Sequence, residues 1–295
     1  MKCPICKLKT NSIFYSYHIC YNCNLDFKNN INKQNYTHGT INSKINSDNQ
    51  IIINFFKYLT IKPILNSIKS GSILDFGCGN GTFLNFIKIR HLKTLFLYGV
   101  EKNNLSKNHA KNLYNLSIYS SHNEIIKKRF DLVTMWHSLE HLNFEEIKNL
   151  LSFLKSTKNK GLFISVPNKN SLIFKLFGKY NTYFDEDNHF FQFSVESLDK
   201  IFLNNNYSKK YYFHNPLYDL FGYFQSISNF LTNSHNLLYH TVKREGSKRL
   251  NNKIILNLIL SPLFLLFTLI LFFSNYLFPY KYKPVINLYY ERRKS

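Results

Sequence analysis

The sequence predicts an α/β protein: a largely parallel sheet covered by helices on both faces, preceded by a small cysteine-stapled hairpin. Three observations carry that prediction. Short apolar runs alternate with amphipathic stretches of helical period between residues 72 and 166. One apolar run enters a turn with glycine at alternating positions, Gly77, Gly79 and Gly81. Four of the five cysteines stand as two Cys-x2-Cys pairs near the start. At 295 residues the chain holds one large domain and a small module. With 44% hydrophobic and 17% aromatic residues it can bury a core, which excludes a wholly disordered protein. Against 38 Lys and Arg stand 17 Asp and Glu, a formal charge of +21. The excess is scattered through a chain rich in Asn, Ile and Lys, so it points only weakly to an acidic partner.

Cys3, Cys6, Cys20 and Cys23 come first in order. No apolar leader precedes Cys3, so a reducing compartment is expected, where such pairs bind metal rather than form disulfides. Two pairs at this spacing can turn four thiolates toward one zinc ion in a closed, structural tetrahedron. A redox role is the weaker reading, because no thioredoxin-like pattern surrounds either pair. Residues 1–28 are read as this ribbon. The polar, Asn-rich residues 29–50 are read as a linker.

The main domain, 51–295, begins with an apolar helical stretch at 51–69, which Pro63 should kink. Strands are expected at 72–76, 95–100, 117–119, 131–136 and 162–166, with helices at 82–90, 104–113 and 144–155 between them. Ser194 is placed to cap a further helix. A strand at 207–214, an aromatic-rich helix at 217–241, a strongly apolar segment at 254–278 and a last strand at 285–290 complete the order. The stretch 216–280 is read as a helical insertion that faces a membrane.

The glycine turn is the most informative stretch. Missing Cβ atoms let a ligand approach the backbone, and the helix beyond offers free N–H groups. Glu101, at the end of the next strand, can accept hydrogen bonds from two ribose hydroxyls. The spacing Gly-x-Gly-x-Gly departs from the dinucleotide fingerprint. Asp75, two residues before the first glycine, would repel a pyrophosphate and suits a cationic ligand. S-adenosylmethionine carries a sulfonium, an ammonium and a ribose, and no phosphate. On these residues the chain resembles the class I S-adenosylmethionine-dependent methyltransferases over residues 51–291. The resemblance implies a Rossmann-like sheet of seven strands, the last inserted antiparallel. It also implies that Gly77, Gly79 and Gly81 cradle the methionine part of the donor and that Glu101 holds its ribose. Tyr119-Ser120-Ser121 stands where the family often has an Asp for the adenine amine.

Residues 130–142 resemble the fourth-strand segment of the same family, which implies that Trp136 and His137 face the donor pocket. His137-x-x-Glu140-His141 also fits an inverted zinc-protease pattern, which its place after a strand argues against. In ubiquinone-pathway O-methyltransferases the matching positions hold acidic and His residues implicated in divalent-metal binding, and His137 departs from the first of them. The plainer alternative is that Glu140 and His141 cap the following helix. His137 is a candidate general base for a hydroxyl acceptor. His189, in a loop after the fifth strand, is a second candidate base or acceptor ligand; a surface or capping role is the competing reading.

Residues 254–280 carry no charged side chain, enough to span a bilayer by length. Pro262 interrupts the run, and basic residues flank it on both sides: Lys243, Arg244, Lys248, Arg249 and Lys253 before, Lys281, Lys283, Arg292, Arg293 and Lys294 after. If 207–214 and 285–290 share a sheet, a single crossing would separate them. A broken hairpin or interfacial helix pair dipping into one leaflet is therefore expected. A buried helix pair or a dimer interface is the competing reading. The leading expectation is a methyltransferase acting on a small-molecule, glycan or lipid-linked acceptor at the cytoplasmic face of the cytoplasmic membrane. The similarity of a zinc-ribbon start plus this domain to proteins of surface-polysaccharide modification supports it. The alternatives are a zinc-ribbon RNA methyltransferase, for which charge and ribbon would grip the nucleic acid, and a binding protein that kept the fold.

Overall fold

The computed structural model describes residues 1–29, 47–91, 94–237 and 252–293. Most of the expected linker, the basic residues 243–249 and Lys294 lie outside the described residues. The cysteine segment forms β1 (Ile13–Phe14), β2 (Tyr17–Cys20) and β3 (Leu25–Phe27). The main domain follows with α1 (Ser47–Ser67), β4 (Gly71–Phe76), α2 (Thr82–Arg90), β5 (Leu95–Val100), α3 (Asn104–Tyr114) and β6 (Ser117–Tyr119). Next come β7 (Leu132–Trp136), α4 (Phe144–Thr157), β8 (Gly161–Pro167), α5 (Leu172–Phe177) and β9 (Phe191–Gln192). Then α6 (Val195–Leu203), β10 (Tyr207–Tyr212), α7 (Pro216–Thr232), α8 (Asn252–Asn275) and β11 (Val285–Arg292) close the chain.

Seven strands make the central sheet in the order β10-β11-β8-β7-β4-β5-β6. Only β11 runs against its neighbours β8 and β10. The expected sheet, with its reversed last strand, is therefore present. Successive residues of β4 face opposite layers: Ile73 packs with Ile61, Ile64 and Leu65 of α1, whereas Leu74 packs with Val133, Ile164 and Ile286. Every residue of β8 is buried, as a central strand covered on both faces must be. Side-chain caps start the helices where polar residues predict them. Asn103 accepts from Ser106 N at 3.0 Å, and Ser194 accepts from Ser197 N at 3.1 Å. Asn143, not Glu140 or His141, caps α4, in a reciprocal box with Glu146.

Three expectations change. The helix α1 starts at Ser47, within the expected linker, and runs through Pro63 without interruption. Helix α5 was not expected; Ser171 caps it, accepting from Phe174 N at 3.2 Å. The apolar segment is not a broken hairpin, because α8 continues through Pro262 and packs along α7. Both ends of the insertion return to one sheet, since β10 and β11 pair antiparallel. Among the described residues, no helix is long and apolar enough to cross a membrane.

The polarity of the α7–α8 pair is inverted. Asn257, Phe264, Thr268 and Asn275 of α8 are buried toward α7, whose Asp219, Ser226, Ser228 and Asn229 are buried in turn. Ser228 hydrogen-bonds Asn257 across the seam. Asp219 accepts from Asn275 Nδ2 at 2.7 Å and pairs with His214 Nε2 at 2.7 Å, which ties the end of α8 to the sheet. The outer side carries Ile259, Leu266, Ile270 and Phe273, all exposed.

Candidate active site

The donor cradle lies at the carboxyl end of β4. Gly77, Gly79 and Gly81 all take positive φ, at 78°, 55° and 74°, a conformation that favours glycine. Their reasons differ. A Cβ on Gly77 would stand 2.6 Å from Ser138 Cβ, and one on Gly81 would stand 2.7 Å from Ala110 Cβ. A Cβ on Gly79 meets nothing within 4 Å, so its backbone borders open space. Glu101 turns toward that backbone: its Oε2 accepts from Gly79 N at 2.9 Å and its Oε1 from Asn103 N at 2.7 Å. One carboxylate thus joins the glycine turn to the start of α3. Asp75 sits beneath, 3% exposed, accepting from Thr134 Oγ1 at 2.7 Å. Burial pushes its carboxyl up to about 6, although the Thr134 bond and Lys57 work in the other direction. Trp136 packs between Phe83 and Phe163, with centroids at 5.3 and 4.7 Å. Its indole N–H is buried without a hydrogen bond. At the adenine position Glu124 caps its own turn, accepting from Ser120 N and Ser121 N at 2.9 Å each.

A second cluster stands where β7 ends. His137 adopts φ of 49°, a strained conformation for a non-glycine residue. Its ring stacks on Tyr183 and meets Tyr218 of α7 edge-on at 5.1 Å. The side chain of Glu140 is 1% exposed, and neither carboxylate oxygen has a hydrogen-bond partner. The nearest basic group is His137 Nδ1, at 3.5 Å. His141 Nδ1 lies 3.0 Å from Asn188 O, a contact that assigns its proton there and leaves Nε2 free to ligate. The His141 and His189 rings are 4.6 Å apart. Burial, with His141 and His137 nearby, holds His189 well below its ordinary range and so neutral. Ligand atoms of Glu140, His141 and His189 all lie within 4.8 Å of one another. An ionised carboxylate buried without partners is costly unless a cation meets it. One carboxylate and two imidazoles therefore fit a divalent ion.

The cysteine hairpin is part of this site. Strand β3 pairs antiparallel with β9, Asp26 opposite Gln192 and Phe27 opposite Phe191. Tyr17 donates its hydroxyl to His189 O at 2.9 Å, and Phe190 N donates to Glu140 O at 2.8 Å. Asp26 and Lys169 form a buried ion pair between hairpin and domain. The four Sγ atoms lie within 4.8 Å of one another, with Cys6 and Cys20 at 3.6 Å. A zinc–sulfur tetrahedron with bonds of about 2.3 Å has sulfurs about 3.8 Å apart, so the donor set fits such an ion.

The site gathers the predicted Asp75, the three glycines and Glu101 into one cradle, with Trp136 packed at its base and His137 and His189 in the neighbouring cluster. Sequence reasoning missed Tyr183 and Tyr218, which reach His137 from a loop and from the insertion. Aromatic residues are so frequent in this chain that neither stood out.

Gly79→Arg fills the open space beside the turn. It is expected to abolish S-adenosylmethionine binding in calorimetry while the melting transition persists; unchanged binding would remove the cradle. The pH dependence follows from Asp75. Below about pH 6 its carboxyl is protonated and loses its attraction for the donor ammonium; above, it is ionised. Affinity should thus weaken as pH falls below that point, by up to about tenfold per pH unit. Calorimetric titrations at several pH values check this, and a flat profile would contradict it.

Comparison with known proteins agrees with this geometry. Protein 235L of Invertebrate iridescent virus 6, which carries the provisional name of a methyltransferase, is 28% identical over 107 residues. That match covers 32% of this chain and 40% of the viral protein. The fold is similar to a provisional sarcosine dimethylglycine methyltransferase from Galdieria sulphuraria, with a TM-score of 0.50 at 8% identity, covering 82% of this chain and 86% of that one. A SAM-dependent methyltransferase from Archaeoglobus fulgidus gives 0.48 at 17% identity, covering 81% and 94%. A family model described as a methyltransferase domain matches residues 55–210, more than half of the chain and the whole cradle, so the chain belongs to this family, the class I S-adenosylmethionine-dependent methyltransferases.

Proposed function

We propose that the protein methylates a polar group of an amphiphilic acceptor, glycan- or lipid-linked, at the cytoplasmic face of a membrane. The observation that carries this reading is the inverted α7–α8 pair. It buries Asn257, Thr268 and Asn275 and exposes Ile259, Leu266, Ile270 and Phe273. Burying polar groups in the seam and presenting leucine, isoleucine and phenylalanine outward suits a hydrocarbon neighbour. The same α7 carries Tyr218 onto His137, so the apolar face and the candidate base share one element. Lys281, exposed beside the insertion, suits anionic headgroups, whereas Lys283 is buried and donates to Asn275 O at 2.7 Å.

S-adenosylmethionine, held by the glycine turn, Asp75 and Glu101, would supply an electrophilic methyl group on its sulfonium. His137 takes the acceptor proton, and the Tyr183 and Tyr218 rings position the acceptor and exclude water. A divalent ion held by Glu140, His141 and His189 would supply Lewis-acid stabilisation of an acceptor oxygen. We infer that Cys3, Cys6, Cys20 and Cys23 hold a structural zinc, without which so short a hairpin has too little core to fold.

The protein should sediment with anionic liposomes. Replacing Leu266, Ile270 and Phe273 together by Lys should release it while leaving S-adenosylmethionine binding intact. Equal partitioning of both forms would defeat the membrane reading, and salt-sensitive RNA binding without liposome binding would replace it with an RNA acceptor. Metal analysis is expected to find zinc that Cys20→Ser loses, with faster hydrogen exchange in β2, β3 and β9. A second divalent ion should be lost in Glu140→Gln, which keeps its zinc. Full zinc content in Cys20→Ser would disprove the cysteine site.

A further inference from the structure

The methionine end of the donor carries two charges, an ammonium and a carboxylate. Asp75 suits the first. The glycine turn offers no cation for the second, and neither does Glu101. Helix α1 brings one. Gln50, near its start, accepts from Thr82 Oγ1 at 2.7 Å beside the turn, so α1 lies against the cradle. Two turns on, Lys57 is half-buried, with its ammonium 5.3 Å from the Trp136 ring centroid and 5.6 Å from that of Phe83. Trp136 closes β7 and Phe83 opens α2, the two elements flanking the glycine turn.

Among the described residues, no hydrogen bond or ion pair engages the Lys57 ammonium. Burial pushes it below the ordinary lysine range, and Asp75 is the charge that opposes this. A lysine is rarely turned inward without a partner, because a desolvated ammonium needs a counter-charge. Here it faces two aromatic rings, and among the described residues no carboxylate is close enough to it for an ion pair. An ammonium at one edge and a carboxylate at the other match the opposite charges of an α-amino acid between them.

We propose that Lys57 binds the carboxylate of the donor's methionine moiety and sets the preference for a zwitterionic donor. This rests on the donor site described above. Asp75 and Lys57 then act as a pair: one reads the ammonium, the other the carboxylate, and α1 closes the cradle as it delivers the lysine. The base, the cation cluster and the acceptor take no part, so the proposal can be tested without knowing the acceptor.

The test is calorimetry with two probes, S-adenosylmethionine and its decarboxylated form, which keeps sulfonium and ammonium and lacks only the carboxylate. The native protein should prefer S-adenosylmethionine. Lys57→Met should bind it about ten- to a hundredfold more weakly, as expected for a lost charge-assisted hydrogen bond, and bind the decarboxylated probe as well as before or better. The preference then collapses. Lys57→Arg keeps the charge and should keep the preference. If Lys57→Met discriminates between the probes as the native protein does, or weakens both equally, the proposal is overturned. If the native protein binds neither probe, the donor site itself fails, which is a separate and recognisable result.

Discussion

The cluster at the end of β7 is organised around one buried carboxylate. Glu140 has no hydrogen bond on either oxygen, in an interior where an unpaired charge is among the least tolerable features. Four parts of the chain converge on it. The end of β7 supplies His137, the loop before β9 supplies His189, and α7 supplies Tyr218. The cysteine hairpin holds the second of these by pairing β3 with β9 and by the Tyr17 bond to His189 O. The hairpin is therefore not a module on a tether. Its buried Cys3, Cys20, Leu25 and Phe27 belong to the same apolar cluster as the central sheet. Whatever orders the four cysteines also orders the loop that carries His189.

The donor side obeys a different constraint, that of backbone conformation. Three positive-φ glycines bend the chain tightly enough for Gly79 N to meet Glu101, and that bond locks the first two crossovers of the sheet together. Gly77 and Gly81 are needed because neighbours occupy the space of a side chain; Gly79 takes positive φ beside open space. The cradle and the histidine cluster meet at β7, where Trp136 packs at the base of the first and His137 opens the second.

The insertion between β10 and β11 adds a third constraint. Its interior is polar and its exterior apolar, the reverse of a helix pair folded for water. Asp219, His214 and Asn275 anchor it to the sheet edge. The same insertion brings Tyr218 beside His137.

The sequence by itself determined the central sheet, the glycine turn, the place of Glu101 at the end of the next strand and the cysteine group. Each of these is written locally: strand and helix periods in runs of a few residues, positive-φ turns in glycine, caps in Asn103 and Ser194, ligand sets in Cys-x2-Cys spacing. Tertiary structure alone decided what lies far apart in the chain and close in space. Nothing near Tyr17 announces a bond to His189, and nothing near Lys57 announces Trp136. Pro262 predicted a break in its helix, yet that helix continues, because packing along its length outweighs one lost backbone bond. From sequence Glu140 reads either as a capping residue or as part of a metal-binding set. Only the fold buries it beside two imidazoles drawn from separate segments.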